Sequence, residues 1–506
     1  MLSRLLRPGR GFPRVLLGLG LAMAAASVSE SPGEEDGQRK RKSRAAYGTA
    51  IDRSRELLRR VKGSRLPSPL NSLHTSWSLR EPARLKDEVG SPGIVVGVSV
   101  DGETIWTEGL GFADVENRIP CSADSVMRVA SISKSFTMTA VAKLWEEGRL
   151  DLDAPVQKYV PEFPEKEFEG EKVAITTRLL ASHLSGIRHY DKDIQKIRKR
   201  TAKKISEAAT SPESSTEREQ CNNTGLSKAE EQGKTKEAGC RKSKKAKALE
   251  PEEFYIKDKF DSVIDSLELF KNDPLVFKPG TQFLYSTHAW TLLSAVVERA
   301  SGKKFVDYMM QMFRDLGMKN TVAEEHEPII YNRARFYIFS DKKRLKNSPY
   351  VDNSYKWAGG GFLSTVSDLL TFGNVLLYSY QAQNTTGSLP GYLKPGTISM
   401  LWRQVPNTEM SWDKDGKYAM GWGTVDRKQD YGQCKLQKHY ISHTGGAVGA
   451  SSVLLIMPED DPMLWDSQTV IPPRGIVVTI IVNMQQTGLN TTALKIALEF
   501  EKAKLD

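Results

Sequence analysis

At 506 residues the chain exceeds one average domain, and 39% hydrophobic content with nine tryptophans suits one large soluble core carrying unfolded attachments. The formal net charge of +10 is concentrated at the N-terminus and in one polar insert, with no zinc-finger, RNP or helix-turn-helix pattern between them, which argues against nucleic-acid recognition. Cys121, Cys221, Cys240 and Cys434 lie far apart in neither CxxC nor metal-ligand spacing, so no disulfide framework is read from them.

The first 29 residues carry Arg4, Arg7, Arg10 and Arg14 and no acidic residue, followed by an apolar stretch from Val15 to Ala26. This pattern reads as a targeting segment, with mitochondrial import ahead of secretion. The apolar stretch is short for a bilayer span, which needs about 20 residues. Composition then turns polar to about Pro67, including Arg39, Lys40, Arg41 and Lys42. Residues 1–67 are therefore taken as targeting segment and linker, and 68–506 as the main domain, interrupted by an insertion at 191–250. Within the linker, Thr49 to Val61 is spaced as an amphipathic helix through Ile51, Leu57, Leu58 and Val61, packed on the domain edge or serving peripheral membrane contact or self-association.

The globular body starts near Gly93, where Ile94 to Val100, the Asp101-Gly102 turn and Glu103 to Gly109 predict a hairpin. Val129-Ala130-Ser131-Ile132-Ser133-Lys134 then steps into a helical run through Phe136, Ala140, Leu144 and Trp145. On a helix Ser131 and Lys134 share one face about one turn apart, so hydroxyl and amine can share a proton, the geometry of an activated nucleophile. Gly148 and Pro155 end that run and turn it into a short second helix, and Ile175 to Leu184 predicts another, closed by Ser185-Gly186. Residues 191–250 hold 16 Lys or Arg, 10 Asp or Glu and no aromatic residue, and so read as a disordered basic insertion.

Helical periodicity resumes over Phe254 to Phe270. Phe283-Leu284-Tyr285-Ser286-Thr287 leads into a helix ending at Ser301-Gly302, and Phe305 to Leu316 predicts a third. After Gly359-Gly360-Gly361, Ser364 or Thr365 is placed to cap a helix from Val366 to about Leu376. Strands return at Tyr440 to Gly446, Gly449 to Met457 and Gly475 to Met484, before a helix over Leu489 to Ala503. An antiparallel sheet is thus assembled from both sequence ends with a mostly helical domain inserted between them, an α+β fold that places Ser131 in a cleft at the joint.

Ser131-Ile132-Ser133-Lys134, with Tyr285 and His443-Thr444-Gly445 in that order, resembles the serine beta-lactamase and penicillin-binding-protein family. The nearest branch is that of class C beta-lactamases, D-aminopeptidases and esterases, and the resemblance covers roughly Gly93 to Lys504 apart from the insert. It implies Ser131 as the acylating nucleophile, Lys134 as the amine that takes its proton, and Tyr285 as proton relay to the leaving group or general base with Lys134. Thr287 stands where the family commonly has Asn, and its hydroxyl makes only one donor bond. His443 replaces the strand Lys; its imidazole is expected to donate toward Tyr285 or a substrate carboxylate, carrying charge only if protonated. Thr444 is expected to bond substrate, Gly445 to let the edge strand approach closely, and the amides of Ser131 and Gly446 to form the oxyanion hole.

His183 and His189 lack HExxH spacing and are expected to be structural or cleft-lining, and no GxSxG, Walker or dinucleotide pattern is present. The reaction requires no cofactor. The expected activity is hydrolysis of a peptide or amide through an acyl-enzyme. A carboxylesterase with the same nucleophile and a self-assembling scaffold that retains the fold stay open. The family's vertebrate mitochondrial members imply a soluble intermembrane-space protease that forms homo-oligomeric filaments and affects lipid metabolism.

Overall fold

The computed structural model describes residues 45–60, 91–190, 253–340, 344–382, 390–430, 435–459, 473–485 and 487–505. The targeting segment, most of the linker and the 191–250 insertion lie outside them. One compact unit comprises residues 1–189 and 257–506. A second, 190–256, is described only at Tyr190 and 253–256, where Glu253–Tyr255 forms a single 3-10 turn.

The first unit is built on an eight-stranded antiparallel sheet. In chain order its strands are β1 (Gly93–Val100), β2 (Glu103–Asp114), β3 (Ile119–Pro120), β4 (Lys417–Tyr418), β5 (Gly423–Val425), β6 (Tyr440–Ala447), β7 (Ala450–Pro458) and β8 (Gly475–Val482), and the spatial order is β4-β5-β6-β7-β8-β1-β2-β3. The N-terminal hairpin therefore inserts beside the C-terminal strands, with Val95 opposite Ile481 and Val453 opposite Ile480. Asp101 and Gly102 both take positive φ, 51° and 81°, in the tight turn that joins β1 to β2.

Successive side chains alternate between two cores. Val95, Leu454, Val477 and Ile481 face one, and Ile94, Val96, Val453, Val478 and Ile480 the other, so the central strands are apolar on both sides. One face is covered by α1 (Gly48–Arg60) and α6 (Asn490–Leu505). Ala50, Ile51 and Leu58 of α1 are buried there, and Phe500 stacks between Tyr47 and Trp106 at 5.5 and 6.3 Å. Of the placements open to this amphipathic helix, the structure shows packing on the body.

The other face holds α2 (Ile132–Glu146), α3 (Thr287–Ser301), α4 (Phe305–Asp315) and α5 (Val366–Gln381). α5 lies so close to β1 that a side chain at Gly97 would meet Leu370 Cδ1 at 3.0 Å. α3 starts at Ser286, whose Oγ accepts from Ala289 N, and stops at Gly302, left-handed at φ 65°. Thr365 caps α5 by accepting from Asp368 N at 3.2 Å.

Three predicted helices are shorter than their apolar spacing suggests. Only Val156–Lys158 forms a 3-10 turn after α2, and only Thr177–Ala181 is helical between Ile175 and Leu184. Over 254–270, Asp265–Leu269 is a 3-10 turn that Ser262 Oγ starts by accepting from Asp265 N, while Phe260 N donates outward to Ser354 Oγ. Val263, Leu267 and Phe270 still reach the core, so buried spacing was met without a continuous helix.

Candidate active site

α2 is buried nearly all round, and its inward hydroxyls are tied off: Ser135 Oγ donates to Gly421 O at 2.8 Å and Thr137 Oγ to Ala358 O at 3.1 Å. The helix is thereby a rigid post with Ser131 at its N-terminus. Ala130, just before it, takes the left-handed φ of 47°, a strained conformation for a residue with a Cβ, of the kind found at functional turns. Ser131 occupies the N-cap position, yet its side chain makes no capping bond. Its Oγ instead lies 3.2 Å from Lys134 Nζ and is hydrogen-bonded to Tyr285.

Lys134 is buried, with 1% of its surface exposed, and its amine donates to Gly359 O at 2.6 Å. Burial first and the charge of Lys356 second pull its pKa down to about 7. A neutral amine that gives one N–H to Gly359 O still has a lone pair to offer Ser131. Burial pushes the Tyr285 phenol up, only partly offset by the Ser131 contact, so it stays protonated and able to donate. Lys134 Nζ also sits 4.8 Å from the centre of the Tyr285 ring.

Tyr285 and Thr287 are held from behind by two histidines. His183 Nδ1 accepts from Ser286 N at 3.0 Å, and its ring lies 4.2 Å from that of Tyr285. His189 Nδ1 accepts from Thr287 N at 3.1 Å. The two histidines thus fix the Tyr285 segment. A Cβ on Gly359 would come within 2.9 Å of the Thr287 methyl, so glycine there lets the carbonyl reach Lys134 beside α3.

His443 is placed differently from its expected role as donor to Tyr285 or a carboxylate. Its Nδ1 lies 2.8 Å from Thr444 O, which can only accept, so Nδ1 carries the proton and Nε2 accepts from Tyr418 O–H at 2.9 Å. Burial, then Lys134, lowers its pKa to about 3. His443 is therefore neutral at physiological pH, and the strand position of the family lysine holds no cation. Tyr418, which stands between Tyr285 and His443 in ring contact with both, has no sequence motif to announce it.

On β6, Thr444 is half-buried and Gly446 exposed. A side chain on Gly445 would strike Val129 O at 2.3 Å, whereas one on Gly446 would meet nothing within 4 Å. Gly445 thus brings β6 against the turn that carries Ser131 and leaves Gly446 beside open space. A separate cleft of about 180 Å³ has Arg128, Glu324, Arg333, Asp352, Asn353 and Trp357 among its walls, and none of Ser131, Lys134, Tyr285 or His443 lines it.

A serine hydroxyl held between a depressed lysine and a protonated tyrosine, on a helix beside an antiparallel sheet, defines a serine-hydrolase fold of the beta-lactamase and transpeptidase type. The chain belongs to the beta-lactamase family, which it matches over residues 82–226 and 238–499. It is 62% identical over 441 residues to the mouse "Serine beta-lactamase-like protein LACTB, mitochondrial", spanning 84% of this chain and 79% of that protein. Two solved structures share the fold: an octameric penicillin-binding protein homologue from Pyrococcus abyssi and a D-amino acid amidase from Ochrobactrum anthropi. The first has 20% identity, TM-score 0.53 and coverage of 82% of this chain and 73% of its own; the second 18%, 0.55, and 82% and 95%.

Proposed function

We propose that the chain is a serine hydrolase that cleaves a peptide or amide bond through an acyl-enzyme. The observation that carries this reading is the Ser131 hydroxyl in contact with both a buried amine of pKa about 7 and a protonated phenol. As Oγ attacks the substrate carbonyl, neutral Lys134 takes the Ser131 proton, and the amides of Ser131 and Gly446 receive the developing oxyanion. Tyr285 gives its proton to the leaving nitrogen and regains one from the Lys134 ammonium, so the amine departs neutral and the C–N bond breaks. Water then attacks the ester carbonyl as Lys134 accepts its proton; Lys134 passes that proton to Ser131 Oγ as the C–Oγ bond breaks, so the acid product leaves with the Ser131 hydroxyl and the neutral amine both restored.

The substrate is set by what surrounds that centre. With His443 neutral and Thr287 in place of an amide side chain, neither position offers a fixed cation or the paired amide groups of Asn. This favours a peptide or small amide over a beta-lactam carboxylate. The same absence of a fixed charge at His443 favours, as a second reading, a carboxylesterase acting on uncharged acyl groups.

The Arg-rich N-terminal stretch and the similarity to the mouse mitochondrial protein support a mitochondrial setting, for which we propose the intermembrane space. The octameric Pyrococcus homologue supports a homo-oligomer. Filament assembly and a link to lipid metabolism rest on the family resemblance. A fluorophosphonate probe read by intact mass tests the nucleophile: the wild-type chain gains one adduct and Ser131→Ala gains none. Equal labelling of the mutant rejects the assignment. Matched peptide anilides and p-nitrophenyl esters then separate amidase from esterase by kcat/KM.

A further inference from the structure

Three residues before Ser131, Arg128 is buried in a short strand, Met127–Arg128, that pairs with Phe362–Ser364. Its Nε donates to both carboxylate oxygens of buried Glu324 at 2.8 and 2.7 Å, its Nη1 donates to Val448 O, and its guanidinium lies 4.2 Å from the centre of the Phe336 ring. Glu324 also accepts from Arg333 Nη2 at 3.0 Å and Asn353 Nδ2 at 3.1 Å, and its backbone N donates to Gly361 O at 2.8 Å.

Three segments of the acylation centre meet in this network. Arg128 belongs to the strand that delivers Ser131. Val448 lies two residues past Gly446, in the turn between β6 and β7. Asn353 and Gly361 flank Gly359, whose carbonyl takes the Lys134 amine. Buried ion pairs are poor sources of stability, because desolvation offsets their attraction and apolar replacements are often neutral or better. What such a pair does supply is fixed geometry, here through a planar fork with donors spread over two partners.

We propose that Arg128, gripped by Glu324, is a positioning residue of the acylation centre: it ties the Val448 turn to the nucleophile strand and so sets the spacing between the Ser131 and Gly446 amides. The inference rests on the hydrolase reading above, in which those amides hold the oxyanion. An oxyanion donor displaced by about 1 Å loses roughly 100-fold in rate while substrate binding is little altered. Lysine at 128 would keep the cation but cannot reach Glu324 and Val448 with one fork, so the effect follows geometry more than charge.

The test is the rate of fluorophosphonate labelling of the full chain, resolved into kinact and KI. Arg128→Met is expected to lower kinact about 100-fold and Arg128→Lys about tenfold, with KI within about threefold of wild type. A folded Arg128→Met with wild-type kinact overturns the inference, and so does a raised KI with kinact kept. Should Arg128→Met lose its cooperative melt, Glu324→Gln decides: it keeps the side-chain shape, weakens the grip and is expected to lower kinact about tenfold. Ser131→Ala separates the two levels of argument. Labelling that survives in Ser131→Ala removes the hydrolase reading and this inference together, whereas an unlabelled Ser131→Ala beside a full-speed Arg128→Met removes this inference alone.

Discussion

Replacing Lys134 with methionine should make the protein inactive and, below neutral pH, more stable. The folded chain holds this amine at about 7 against an ordinary 10.5, so between those values the unfolded chain binds more protons and is favoured. At about 1.4 kcal/mol per pH unit the penalty amounts to roughly 5 kcal/mol below pH 7. At pH 9 only the span up to 10.5 counts, and it falls to about 2 kcal/mol. Methionine leaves Gly359 O without its donor, which costs about 1–3 kcal/mol at every pH. The net expectation for Lys134→Met is a gain of about 2–4 kcal/mol at pH 6 that shrinks by about 3 kcal/mol by pH 9. Urea unfolding of both chains at the two pH values measures it. A difference that does not change with pH, or a variant less stable at pH 6, would refute a buried neutral amine.

The same depressed lysine predicts that kcat/KM for a peptide anilide rises with pH through a single limb near 7, because the neutral base forms above that value; a limb near 10 would mean an ordinary lysine. Gly445→Ala should cut labelling by Ser131 at least tenfold in a chain that still melts cooperatively, since the new methyl meets Val129 O at 2.3 Å and pushes β6 off the nucleophile turn. Leu58→Ala should cost about 2–4 kcal/mol on denaturant unfolding without changing the labelling rate, because Leu58 is fully buried on the sheet face opposite the site.

Sequence spacing reached the parts of this architecture that are local. Ser131 and Lys134 lie one helical turn apart, so a helical pattern already places them together, and Thr365 and Ser301-Gly302 announce the ends of their helices through chemistry of neighbouring residues. The state of His443 was hidden because the bond from its Nδ1 to Thr444 O depends on the folded strand, its Nε2 partner Tyr418 lies 25 residues away, and its low pKa comes from burial that only the assembled sheet creates. Lys356 and the Arg128–Glu324 pair were invisible for the same reason, since single charged residues carry no pattern until packing removes their water. Over 254–270 the apolar spacing was real, but Ser262 and Phe260 bonded elsewhere and broke the helix it suggested.

The docking of α1 on α6 limits how far the chain can be shortened from its N-terminal side. Tyr47 stacks on Phe500, Arg53 pairs with Glu499 and Arg55 with Glu108, so the segment from Tyr47 onward is a structural wall of the body. Removal of the chain through Tyr47 and into α1 would bare Phe500, Ile496 and the apolar face of the sheet to water, creating a sticky surface. A shortened form that keeps the fold therefore has to begin upstream of Tyr47.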